Sequence, residues 1–167
     1  MNYYKISSLD TANGIGIRVV LWVCGCKMNC KNCHNPELQN FSYGKSFTEE
    51  TKKELFELLE KPYIHGITFS GGHPFEEENL DSILSLVQEI KIKFPQKTIW
   101  FYTGYTWERC INNKKIKNIL LYTDVLIDGP YIEEKKNIAL RWRGSANQRV
   151  IDVQKTLKQK QIILYCQ

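Results

Sequence analysis

Four cysteines crowd one stretch of the chain, Cys24-Gly25-Cys26-Lys27-Met28-Asn29-Cys30-Lys31-Asn32-Cys33, with His34 next. Cys26, Cys30 and Cys33 give the spacing CxxxCxxC, and a tight loop so spaced can wrap three thiolates around one compact iron–sulfur cluster. Structural clusters usually take four Cys ligands. Three leave one iron open, and an open coordination site is how a metal centre binds and activates a substrate. Zinc is the rival reading, because Cys24, Cys26, Cys30, Cys33 and His34 supply more than enough sulfur and nitrogen for a tetrahedral site. Paired-knuckle zinc sites bring a second cysteine or histidine cluster, whereas Cys110 and Cys166 stand alone, so compactness favours iron–sulfur without deciding the matter. A metal-free loop fits least well, since so many neighbouring thiols are an oxidation liability. Cys24 reads as a small core residue ending a strand, and Cys110 and Cys166 as buried, apolar-like side chains.

The elements that position this loop follow from hydrophobic periodicity. Ile17–Val23 is β-branched, follows the turn signal Asn13-Gly14-Ile15-Gly16, and reads as the first strand. Residues 24–47 read as a loop. Thr48 is an N-cap candidate, and Leu55, Leu58 and Leu59 share one face of a helix that stops at Pro62. Residues 64–69 form a second strand ending in Ser70-Gly71-Gly72-His73-Pro74. A helix from Glu77 to Phe94 carries Leu80, Ile83, Leu84, Val87 and Ile90 at helical spacing. Thr98–Tyr102 is a third strand, 107–121 a less regular helix and 125–127 a fourth strand, with short strand candidates at 149–153 and 162–165.

Strands alternating with helices predict a mostly parallel curved sheet with outer helices. A full eight-stranded barrel needs about 250 residues and this chain has 167, so the expected fold is an incomplete (β/α) barrel in a single domain, 1–167. Active sites of such sheets lie beyond the carboxyl ends of the strands. The cysteine loop, Gly71-Gly72 and Thr103-Gly104 each follow a strand, and all three are expected on that one rim.

Composition narrows the setting. No apolar run is long enough for a bilayer, and Met1-Asn2-Tyr3-Tyr4-Lys5 lacks the layout of a signal peptide, so a cytoplasmic protein is expected, without a membrane partner. There thiols stay reduced, and six cysteines argue for metal or redox chemistry over disulfides. The net charge of +5 comes from cations interleaved with acids, as at Glu49-Glu50 before Lys52-Lys53, which suits solvated helix faces and not nucleic acid.

CxxxCxxC after one strand and a Gly-Gly-x-Pro turn after the next resemble the radical S-adenosylmethionine superfamily. Further segments are similar to one of its families, the activating proteins of anaerobic ribonucleoside-triphosphate reductases. These are Asn13-Gly14-x-Gly16-x-Arg18, Cys33-His34-Asn35-Pro36-Glu37, Tyr102 to Trp107, Asp124 to Gly129, and Trp142-Arg143-Gly144-Ser145-Ala146-Asn147-Gln148-Arg149. The resemblance implies a [4Fe–4S] cluster on Cys26, Cys30 and Cys33, with S-adenosylmethionine chelating its open iron. A flavodoxin-type donor supplies the electron, and the 5′-deoxyadenosyl radical released takes hydrogen from a glycine of the reductase. By position, Asn32, Cys33 and His34 go with the adenosine end of the cofactor, and Gly71, Gly72 and His73 with its amino-acid end.

Two positions depart from that pattern. Asn32 stands where the superfamily often has an aromatic residue, and His73 where the activating proteins usually have an acid. A neutral His73 would offer a ring lone pair to the cofactor's ammonium group. Arg143 and Arg149 are candidates for a cofactor carboxylate or the partner, and otherwise surface cations. Trp107, Tyr131 and Trp142 read equally as docking surface or core, and His65 as a surface residue. The alternative functions are another radical S-adenosylmethionine enzyme acting on a small molecule or peptide, and a zinc-binding interaction module.

Overall fold

A computed structural model describes residues 1–165, in which every strand joins one seven-stranded sheet. In chain order the strands are β1 (Asn2–Asp10), β2 (Ile17–Val23), β3 (Lys45–Ser46), β4 (Ile64–Gly71), β5 (Thr98–Tyr102), β6 (Val125–Asp128) and β7 (Arg149–Asp152). The helices are α1 (Glu49–Glu60), α2 (Glu77–Lys93), α3 (Trp107–Asn112), α4 (Lys114–Leu120) and α5 (Val153–Gln159). Across the sheet the order is β3-β1-β2-β4-β5-β6-β7. The centre, β2-β4-β5-β6, is parallel, and the flanking pairs β1/β2, β1/β3 and β6/β7 are antiparallel. The mostly parallel sheet expected from the sequence is thus parallel in its centre only.

Alternation along each strand sorts the side chains onto two faces. Val19, Leu21 and Val23 of β2 join Ile67, Phe69, Ile99, Phe101 and Leu126 in one core, to which all five helices contribute. The helices reach it through apolar stripes, Leu55 and Leu59 on α1 and Leu80, Ile83, Val87 and Ile90 on α2. Thr48 caps α1 by accepting from the Thr51 N–H at 3.3 Å. The opposite face carries no helix. Trp100, Val125, Ile127 and Val150 are covered there by Trp142, with Tyr165 beside it.

Arg18 lies on that second face and is fully buried. Its guanidinium donates to Thr68 Oγ1 (2.8 Å), Thr98 Oγ1 (2.8 Å) and the carbonyls of Ile15, Ile67 and Thr98, and its carbon sits 5.0 Å from the Trp100 ring. None of these partners is a carboxylate, and burial pulls its pKa down to about 10.

The elements differ from the sequence reading in several places, one being β3 (Lys45–Ser46) inside the expected loop 24–47. Ile17–Val23 is the second strand, because Asn2–Asp10 already forms a half-exposed strand whose residues carry no buried apolar stripe. The helix expected over 107–121 breaks at Asn113, whose side chain accepts from the Lys115 and Ile116 N–H groups and starts a new helix. The strand expected over 149–153 ends at Asp152, which caps α5 through the Lys155 N–H, and residues 162–165 make only one bridge, Leu164 to Ile151. Cys166 lies outside the described residues. Among the described residues no helix is long and apolar enough to cross a membrane.

Candidate functional site

Beyond Val23 the chain is fastened by backbone bonds before it turns. Cys24 N–H donates to Asn2 O (2.9 Å), Gly25 N–H to Leu38 O (2.8 Å) and Cys26 N–H to Gln39 O (3.1 Å). The turn after β4 ties in from the other side, Gly72 N–H to Val23 O and His73 N–H to Gly25 O, both 2.8 Å. Asn29 and Asn32 then adopt left-handed backbone (φ 48° and 54°), a conformation Asn tolerates well. The loop curls so that Cys26, Cys30 and Cys33 line one cavity of about 150 Å³. Gly71, Gly72, His73, Thr103, Gly104 and Gly129 line it too, so the turns after β4, β5 and β6 meet the cysteine loop on one rim.

Two glycines make this approach possible. Gly71 holds φ +104°, a region that L side chains rarely adopt. At Gly72 a Cβ would stand 2.7 Å from Leu38 O and 2.8 Å from Gly25 O. The missing side chain at Gly72 therefore admits the backbone of the cysteine loop itself.

The three cavity thiols are half-buried, and Cys24 and Cys110 are buried away from the cavity lining. Burial pushes the Cys26 thiol up to about 11, with Glu76, Cys30 and Cys33 adding to the rise, and burial also raises Cys30. Thiols so raised are protonated at neutral pH and would have to give up their protons to hold a metal. Among the described residues no three His, Cys, Asp or Glu side chains group closely enough for a single metal ion. The donor set that lines the cavity among the described residues, three thiols and no fourth, suits a multi-iron cluster.

His73 is buried and both ring nitrogens are engaged. Nδ1 lies 3.1 Å from Glu76 Oε1, and Nε2 lies 2.8 Å from Thr103 Oγ1. Burial alone would raise the Glu76 carboxyl, but the bonds from His73 and the Lys27 N–H outweigh it and hold the group below its ordinary range. Glu76 is therefore an acceptor and Nδ1 carries a proton. The free lone pair expected of His73 is already committed within the protein.

The third wall is a strap, residues 129–148. Gln148 Oε1 accepts from the N–H groups of Gly144 and Ser145 (3.0 and 3.1 Å), while its Nε2 donates to Gly129 O at 3.1 Å. Asn147 donates to Pro130 O and Arg143 to Gln148 O. The Arg-Gly-Ser-x-Asn-Gln segment thus ties the strap to itself. Arg149 pairs with Asp128 and Glu108, and neither Arg143 nor Arg149 lines the cavity. Trp107 and Trp142 pack on opposite faces of the sheet and form no common surface.

Of the residues singled out from sequence, Cys26, Cys30, Cys33, Gly71, Gly72 and His73 line the cavity, whereas Asn32 and His34 are exposed and do not. His34 instead meets the Tyr131 ring edge-on at 6.2 Å. Sequence reasoning missed Met28, Asn35, Gln39, Tyr131 and Gln148 as lining residues, and Glu76 beneath them. Gln148 and Asn35 lie inside segments the sequence had marked, but nothing local shows which member of each segment faces inward.

Comparison with known proteins adds an independent line. A family described as a 4Fe-4S single cluster domain matches residues 12–151. The chain is 44% identical to the anaerobic ribonucleoside-triphosphate reductase-activating protein of Enterobacteria phage T4, over 90% of this chain and 93% of that one. Proteins of the same name from Vibrio cholerae and Escherichia coli K12 are 39% and 36% identical, over 89% and 90% of this chain and 96% and 97% of theirs.

Proposed function

We propose, for a chain that belongs to the family of anaerobic ribonucleoside-triphosphate reductase-activating proteins, that the rim cavity is where it activates its reductase. It is a radical S-adenosylmethionine activating enzyme, with a 4Fe-4S domain and S-adenosylmethionine as its cofactors. The observation that carries the reading is the convergence of Cys26, Cys30 and Cys33 with the Gly71-Gly72 turn around one cavity. When bound there, a [4Fe–4S] cluster with one iron free of protein ligands supplies the one-electron reduction of S-adenosylmethionine that leads to a stored glycyl radical.

The chain's own residues hold, orient and enclose. Cys26, Cys30 and Cys33 are the cluster ligands of this reading. Gly71, Gly72 and His73 border the amino-acid end of S-adenosylmethionine, where the turn backbone does the binding and Glu76 and Thr103 fix the His73 ring. Cys33 with Asn32 and His34 borders the adenosine end, on the outer lip beside Tyr131. A sheet with helices on one face only supports an incomplete barrel, in one domain, whose open end is left for a protein substrate. The electron comes from a flavodoxin-type donor in the cytoplasm.

The test is anaerobic mixing of the reconstituted protein, S-adenosylmethionine, a reductant and the cognate reductase. A glycyl doublet in the electron paramagnetic resonance spectrum and 5′-deoxyadenosine are expected. Cofactor cleavage with no protein radical on the reductase refutes the reading.

A further inference from the structure

Glu76 is the N-cap residue of α2, yet its side chain makes no capping bond. Glutamate is not among the preferred N-cap residues, and this one leaves the first turn of its helix without a side-chain cap. The carboxylate turns back instead and is almost wholly buried, at 3% exposure. There Oε1 alone takes two donors from two segments, the Lys27 N–H at 2.8 Å and His73 Nδ1 at 3.1 Å. One turn along α2, Asn79 does a related job, donating to Cys24 O (3.0 Å) and His73 O (3.3 Å).

The position of these bonds in the loop gives them meaning. Cys24, Gly25 and Cys26 are held by backbone partners. Lys27 is the next amide, and its acceptor is the Glu76 side chain. Met28 N–H then points back to Cys26 Sγ at 3.5 Å. Glu76 therefore marks where the loop leaves its backbone anchors and begins its path around the three thiols. Its second donor, His73, is itself held by Thr103 at the end of β5.

We propose that Glu76 is a positioning residue for the metal centre. One carboxylate oxygen fastens the peptide after Cys26 to the His73 ring, and so fixes the Cys26 thiol relative to the Gly71-Gly72 turn. The inference rests on the reading that Cys26, Cys30 and Cys33 hold a cluster. It requires an oxygen acceptor at residue 76 and not merely a side chain of that size. Gln keeps the acceptor, while Met keeps the bulk and loses it.

Glu76→Gln and Glu76→Met separate these requirements in two measurements. The first is hydrogen exchange of the Lys27 amide in the metal-free chain under reducing conditions. The second is the rate of iron loss from the reconstituted, oxygen-free protein to an added chelator. Glu76→Gln is expected within about twofold of the unaltered protein in both, and Glu76→Met about tenfold faster in both, as loss of a buried bond implies. Glu76→Met behaving as the unaltered protein overturns the proposal, and so does Glu76→Gln behaving as Glu76→Met. Should Glu76→Met fail to fold, a folded, iron-retaining Glu76→Gln still supports it and an unfolded one refutes it. An unaltered protein that takes up no iron refutes the cluster reading instead, and the Lys27 exchange, measured without metal, still tests the anchor.

Discussion

Alanine at Gly72 puts a methyl group into a gap that the backbone at Gly25 and Leu38 has already closed. The added carbon would meet Leu38 O at 2.7 Å, Gly25 O at 2.8 Å and Gly25 N at 3.1 Å, against an ordinary contact near 3.4 Å or more. None of these atoms is the end of a flexible side chain. Gly25 N–H is bonded to Leu38 O, and Gly25 O accepts from His73 N–H, each at 2.8 Å. Relief requires the loop to move by about half an ångström, which strains both bonds. Overpacking costs about 1–3 kcal/mol, and each of the two weakened buried bonds adds about 1 kcal/mol, for a total of about 3–5 kcal/mol. For a chain of this size that lowers the melting temperature by roughly 6–20 °C. Thermal melts of the metal-free protein, followed by circular dichroism under reducing conditions, measure it. Iron content after reconstitution should fall in the same variant, because the displaced segment leads directly into Cys26. A melt within 2 °C of the unaltered protein, with full iron uptake, would show that the loop is free to yield and refute the argument.

Alanine at Cys30 should abolish iron retention while alanine at Cys24 keeps it, since Cys24 is buried outside the cavity lining; iron and sulfide assays on anaerobically reconstituted protein decide. Arg18→Lys keeps the charge but offers three donors to the acceptors Arg18 now serves, stranding at least two, so urea denaturation should show a loss of about 2–6 kcal/mol. Arg149 bonds to Glu108 and holds its carboxyl below the usual range. That stabilisation is complete above the unfolded value of about 4.3 and is lost as pH falls through the folded one. Glu108→Gln should therefore flatten part of the acid limb of the stability profile, by a small amount because the pair is largely exposed.

The centre of the sheet was legible because β2, β4, β5 and β6 carry runs of consecutive buried residues rich in β-branched and aromatic side chains, and α1 and α2 carry uninterrupted apolar stripes. The edge was not. β1 reads Asn-Tyr-Tyr-Lys-Ile-Ser-Ser-Leu-Asp and buries no residue fully, so its strand character comes from pairing with β2 and not from its own pattern. The cysteines and glycines of the rim were visible because topology alone sends loops after parallel strands to one end. What fills the space between them was not visible, because Tyr131 and Gln148 reach the cavity by the strap's folding back, and Glu76 supports the His73 ring by turning away from its helix. His73 shows the same limit. Its place in the turn follows from sequence, but the two partners that occupy its ring sit on other elements.

The segment joining β2 to β4 contains every thiol of the cavity, and those two strands are parallel neighbours. Parallel neighbours cannot zip from a tight turn, so they pair only after the intervening chain has condensed around them. In a zinc finger the metal gathers the ligands and thereby folds the peptide. Here the loop is also fastened by protein–protein bonds, from the amides of Cys24, Gly25, Cys26 and Lys27 to Asn2, Leu38, Gln39 and Glu76, that no metal supplies. Loss of a cluster would leave those bonds in place, so the loop's shape would not depend on its cargo alone.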